Sequence, residues 1–120
     1  MLVQSISFPI PLTTIEDIHD DNIDVFVTLE DGFDYTVVVA TYKNILSLMD
    51  KDKVNFLEPG CPCIIVRKLT MKVIQEAIKA YAEEDDAYWL KLHHFAADID
   101  NEVFDKLQKN QIEDNLIDEN

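Results

Sequence analysis

The stretch Ile23-Asp24-Val25-Phe26-Val27-Thr28-Leu29-Glu30-Asp31-Gly32-Phe33-Asp34-Tyr35-Thr36-Val37-Val38-Val39 decides the fold. Apolar residues alternate on either side of Asp31-Gly32, the period of a half-buried strand, and an Asp-Gly pair between two such runs marks a β-hairpin. Two registers are open to it. If Glu30-Asp31-Gly32 is a three-residue loop with Gly32 left-handed, Leu29 faces Phe33, Val27 faces Tyr35, Val25 faces Val37 and Ile23 faces Val39. Every pair on that face is then apolar. A two-residue Asp31-Gly32 loop instead places Leu29 opposite Asp34 and Val27 opposite Thr36. Opposed side chains are the unit of sheet stabilisation, so the three-residue register is expected.

Working outward, Leu2, Ile6, Phe8, Ile10 and Leu12 alternate along the N-terminal segment, broken once by Gln4. This reads as a strand, and Pro9 and Pro11, which cannot donate ladder hydrogen bonds, imply that it lies at a sheet edge or peels off the sheet. Residues 13–22 are polar and acidic, with a short helical turn expected around Ile15–Ile18. Beyond the hairpin, Thr41 can cap a helix through Leu48 and Met49 that Lys51-Asp52-Lys53 ends. Glu58-Pro59-Gly60-Cys61-Pro62 is a turn by composition. The wholly apolar Cys63-Ile64-Ile65-Val66 reads as a central strand buried on both faces. Thr70 caps the clearest helix, with Leu69 and Ile74 in staple positions and Ile74, Ala77, Ile78 and Tyr81 as its core stripe. Glu83-Glu84-Asp85-Asp86 ends that helix and caps the next, Ala87 to Phe95; strand is the alternative there, because Tyr88, Leu90 and Leu92 alternate. Asp98 or Asp100 starts a further helix through Val103, Phe104 and Leu107.

The elements add up to an α+β class: a small mixed sheet built on the hairpin at about 23–39, with helices packed on it. Residues 1–110 form one globular domain, and 111–120 an acidic, flexible tail. At 120 residues and 48% hydrophobic content the chain can build a core without disulfide or metal.

The 24 acids and 10 bases are unevenly spread. Residues 1–42 carry a charge of −8 with no Lys or Arg, residues 43–82 carry +3, and residues 83–120 carry −9, for a net −14. Such a chain is repelled by nucleic acid and by anionic membrane surfaces, and its acids steer it towards a basic protein. No apolar stretch approaches the roughly eighteen residues of a membrane span. Met1-Leu2-Val3-Gln4 lacks the basic start and apolar core of a secretory signal, which makes a cytoplasmic location the expectation.

Candidate chemistry is thin. Cys61 and Cys63 lie too close for ordinary disulfide geometry and read as reduced thiols. With His93 and His94 they make four zinc-type ligands, but the Cys spacing is shorter than structural zinc sites use and adjacent histidines diverge on a helix. A small buried Cys pair and two surface imidazoles is the plainer reading, so no metal or cofactor is expected. His94 and Asp98, four apart on a helix, could pair as base and orienting carboxylate; a surface hydrogen bond is the commoner outcome. Gly32 and Gly60 are the only glycines and Arg67 the only arginine, which leaves no phosphate loop and little for phosphorylated substrates. A non-enzymatic protein is expected. Trp89 reads as a core plug, with Tyr88 facing out beside the acids.

The runs Val25-Phe26-Val27-Thr28-Leu29-Glu30-Asp31-Gly32, Tyr35-Thr36-Val37-Val38-Val39-Ala40-Thr41 and Ile64-Ile65-Val66-Arg67-Lys68-Leu69-Thr70 resemble small uncharacterised bacterial acidic proteins of immunity and antitoxin type. The resemblance spans about residues 20–95 and carries over no functional residue. It implies, alongside the charge, an inhibitor that neutralises a basic partner, a toxin or nuclease, by electrostatic occlusion. The expected contacts are Asp20, Asp21, Glu83, Glu84, Asp85, Asp86 and Tyr88. A nucleic-acid mimic, a regulatory subunit and an acidic protein whose charge only maintains solubility are the alternatives. The mildly basic centre could also dock on the acidic ends of a second copy, giving a homo-oligomer.

Overall fold

The hairpin forms in the three-residue register. In the computed structural model, which describes residues 1–57 and 62–96, β2 (Asn22–Leu29) and β3 (Asp34–Thr41) are antiparallel. Val27 lies opposite Tyr35, Val25 opposite Val37 and Ile23 opposite Val39. Gly32 sits at φ +81°, the left-handed position that closes such a loop, and its amide donates to the Leu29 carbonyl at 3.0 Å.

Among the described residues the sheet has four strands in the order β1-β2-β3-β4. β1 (Val3–Ser7) pairs antiparallel with β2, and β4 (Ile64–Val66) pairs parallel with β3. The sheet is therefore mixed, and the N-terminal strand is an edge among the described residues, with Pro9 and Pro11 beyond its end, where the chain has left the ladder. Its inward face differs from the simple alternation. Val3 is opposite Leu29 and Ser5 opposite Thr28, so one extra residue is inserted beside Gln4. That bulge switches parity: Val3 and Ile6 pack on the core, while Leu2 and Ile10 are exposed. The gap in the apolar pattern at Gln4 was the mark of the bulge. The short turn after it is a 3-10 turn at Leu12–Thr14 rather than at 15–18.

The strand expected at the centre of the sheet lies at its other edge. β4 is three residues long, and Ile65 is 55% exposed between buried Ile64 and Val66. A run of consecutive apolar residues in so short a strand does not require cover on both faces. The parallel β3–β4 pairing needs a crossover, which α1 (Tyr42–Asp52) supplies. Thr41 caps that helix by accepting the Asn44 amide at 3.1 Å, and Lys53 ends it in the left-handed conformation.

One face of the sheet carries the core. Val25, Val27, Val37, Val39 and Ile64 are buried against Ile74, Ile78 and Ala82 of α2 (Met71–Glu83). Thr70 caps α2 through the Val73 amide, and Leu69 is buried at its entry. A third helix, α3, runs over 88–96 within the described residues. The helix reading of that run holds, but Trp89 does not plug the core: it is 45% exposed, and Ala87 and Leu90 are buried instead. The further helix expected after Asp98 and the 111–120 tail lie outside the described residues. No helix among the described residues is long and apolar enough to cross a membrane.

Candidate partner-binding surface

The surface begins where α2 stops. A stripe running Ile74, Ile78, Ala82 would next bring Asp85 and then Trp89 to the core if the helix continued. Burying an unpaired carboxylate is costly, and the chain avoids it by breaking the helix. Asp85, Asp86 and Ala87 all take positive φ (48°, 54° and 63°), a left-handed turn of three residues without glycine. Each such residue costs about 1–2 kcal/mol against right-handed backbone, least for Asp. The turn resets the helical phase, so that Ala87 and Leu90 go into the core while Glu83, Glu84, Asp85 and Asp86 stay exposed.

The inner side of α3 is pinned to the hairpin. β4 covers β3 only at Val39–Thr41, leaving the outer edge of residues 34–38 without a strand. His94 fills part of that gap: its Nδ1 accepts the Thr36 amide at 3.0 Å and lies 3.2 Å from the Thr36 carbonyl. The His94 ring also stands edge-on to Tyr35 at 5.3 Å. One turn earlier, Lys91 lies 3.8 Å from Asp31 in the hairpin loop. Asp31 accepts the Phe33 amide at 3.0 Å and the Tyr35 hydroxyl at 2.8 Å. The Phe33 amide, then the Tyr35 hydroxyl and Lys91, hold the Asp31 carboxyl below its ordinary value against a smaller opposing effect of desolvation. Tyr35 is pushed up to about 12, first by burial, then by its hydrogen bond to Asp31 and by the charge of Asp31.

The outer side of α3 is apolar. Tyr88, Trp89, Leu92 and Phe95 are all exposed, and Tyr88 and Trp89 stack edge-to-face at 5.2 Å. Tyr88, Leu92 and Phe95 share one helix face with Lys91 and, together with Asp85 and Asp86, line an open groove of about 330 Å³. Four large apolar or aromatic side chains exposed on one helix, directly after a run of acids, form a patch of the kind that marks interaction sites.

No protein-family model matches this chain, and neither does any curated protein or solved structure.

Of the seven residues expected from sequence, Asp85, Asp86 and Tyr88 line the groove, and Glu83 and Glu84 immediately precede it. Glu83 lies 3.7 Å from Lys79 one turn back on α2. Asp20 and Asp21 belong elsewhere. Asp20 accepts from Asn44 and Ser47 at 3.3 Å each, and the Asp21 carbonyl accepts the Thr41 amide at 3.1 Å. They sit at the start of β2, whereas the 83–91 segment sits at its hairpin end, where Lys91 meets Asp31. At roughly 3.3 Å per residue, β2 holds the two acidic groups about 23 Å apart. One short partner segment does not span both.

The remaining candidates separate in the same way. His93 donates through Nδ1 to the Trp89 carbonyl at 2.8 Å and meets Tyr81 edge-on, whereas His94 is engaged with β3. Among the described residues no three His, Cys, Asp or Glu side chains are grouped to hold a metal. Cys61 and Asp98 lie outside the described residues. The sequence reading missed Phe95 and Leu92 as outer-face residues and His94 as the anchor of α3. The spacing of Tyr88, Leu92 and Phe95 was a legible signal for the first. Nothing in the sequence indicates that residue 94 reaches residue 36.

Proposed function

We propose that this protein is an acidic interaction module of immunity or antitoxin type, which neutralises a basic protein by covering its cationic surface. The single observation that carries the reading is the juxtaposition of Tyr88, Leu92 and Phe95 with Asp85 and Asp86 around one open groove, directly after Glu83 and Glu84. Aromatic and aliphatic anchors supply buried area, and flanking acids accelerate encounter with a cationic partner and set orientation. The net charge of −14 extends that field beyond the contact. A nucleic-acid mimic would present acids along one continuous ridge. The separation of Asp20 and Asp21 from the 83–86 run favours a local protein contact instead. Asp20 and Asp21 then contribute to long-range steering and not to the contact itself.

The test is a low-salt capture of the partner from host lysate, followed by association kinetics with the purified partner. Glu83, Glu84, Asp85 and Asp86 are changed together to Lys, and Phe95→Ser is made separately. The first variant is expected to slow association by about 10- to 100-fold at low salt. The second should speed dissociation with little change in the on-rate. Association indifferent to both variants and to salt would remove the basis of the proposal.

A further inference from the structure

The first edge of the sheet is open in a way the proposed function does not use. Among the described residues, β1 has β2 on one side and no strand on the other. Alongside it lies a groove of about 410 Å³, whose far wall is one stripe of α2, Met71, Gln75, Lys79 and Glu83. Open edges are usually guarded by charged side chains. Here residues 1–15 contain no ionisable side chain in a chain of net charge −14. The only guards are the bulge at Val3–Ser5 and the prolines at 9 and 11, which leave Ser5–Ser7 in regular register.

We propose that this edge docks a second copy of the chain, the two β1 strands running antiparallel so that their sheets join across a two-fold axis. Three observations favour a second copy over another occupant. Two chains of this charge repel wherever acids face each other, and the β1 edge is a long stretch without ionisable side chains along which they can approach. Its one end is held by the Met1 ammonium, which donates to the Ala82 carbonyl at 2.7 Å, and by the Glu30 carboxylate, which accepts the Leu2 amide at 2.9 Å. The groove wall ends in one base and one acid, Lys79 and Glu83, exposed and 3.7 Å apart. That pair is self-complementary under a two-fold, since Lys79 of one copy can meet the partner's Glu83 and the reverse. Finally, Leu2 and Met71 border the groove at 69% and 43% exposure, and docking buries both on each copy. Strand addition supplies backbone hydrogen bonds, and these apolar side chains supply the area.

The test is sedimentation equilibrium of the full chain over a concentration series, with Met71→Glu and Leu2→Glu as variants. Met71 is the first residue of α2, where a carboxylate suits the helix N-terminus, so Met71→Glu keeps the fold while placing a charge on the apolar rim that docking buries. Wild type is expected to approach twice 13.8 kDa, and each variant to raise the dimer dissociation constant by at least about tenfold with an unchanged circular dichroism spectrum. A wild-type chain that stays monomeric throughout, or a dimer indifferent to both variants, overturns the proposal. A dimer lost instead on changing Asp85 and Asp86, which line the groove beside α3 and not this one, would place the interface at α3 and overturn it as well. Neither variant touches Asp85, Asp86, Tyr88 or Phe95, so partner association remains a separate readout.

Discussion

Tyr35→Phe removes one oxygen from the node that ties α3 to the hairpin. In the native state that hydroxyl donates to the Asp31 carboxylate at 2.8 Å, from a side chain only 7% exposed. A hydrogen bond to a charged group contributes about 1.5–3 kcal/mol. Asp31 keeps the Phe33 amide and Lys91 in the variant, which points to the lower end, about 1.5 kcal/mol at neutral pH. The pH dependence makes the prediction specific. The Tyr35 phenol moves from an ordinary value of 10 up to about 12 in the fold. Between those values the native state keeps a proton that the unfolded chain releases, so raising the pH favours unfolding by about 1.4 kcal/mol per pH unit. The variant has no such proton to lose. Its deficit should therefore narrow above pH 10, close near pH 11 and reverse beyond it. On the acid side the bond also fades. Asp31, lowered from 3.8, stabilises the fold above that value and loses its contribution as pH falls through its folded value. Urea unfolding of both proteins at a series of pH values, read by circular dichroism with equal slopes, measures the difference directly. A deficit that is constant from neutral to alkaline pH would refute the assignment of the shift to Tyr35, and one below about 0.5 kcal/mol would refute the strength of the bond.

Thr41→Val keeps the β-branched shape of a fully buried residue but removes the oxygen that accepts the Asn44 and Asp21 amides at 3.1 and 3.3 Å. Loss of the α1 cap together with a half-buried amide left unpaired should cost about 2–3 kcal/mol, seen as a lower urea midpoint. Gly32→Ala meets no steric obstacle, since nothing lies within 4 Å of an added Cβ, but it forces a side chain onto φ +81°. The expected loss is about 1 kcal/mol, and Gly32→Asn should lose less, because Asn tolerates left-handed backbone better; a thermal melt of the pair separates strain from packing.

The sequence by itself determined the hairpin, its register and the two helix caps at Thr41 and Thr70. Each of these is settled by residues close in the chain. Opposed side chains choose between two loops, and a hydroxyl three residues before an amide either caps it or does not. It also marked where the N-terminal strand leaves the sheet, before Pro9 and Pro11, because a proline ring has no amide to donate. Tertiary structure decided what depends on distant partners. Ile64-Ile65-Val66 is the same apolar run whether at the centre or the edge of a sheet, and only strand order puts it at the edge. Trp89 reads from the sequence as a core plug, although its acidic neighbours suit an interface. It faces out because three left-handed residues rotate the following helix, a phase change that leaves no local mark in a run of ordinary residue types. His94 reads from the sequence as a surface imidazole, and it becomes an anchor because β4 is too short to cover the edge at Thr36. The acids followed the same rule: their number was legible, but their division into two groups at opposite ends of β2 was set by the fold that carries them.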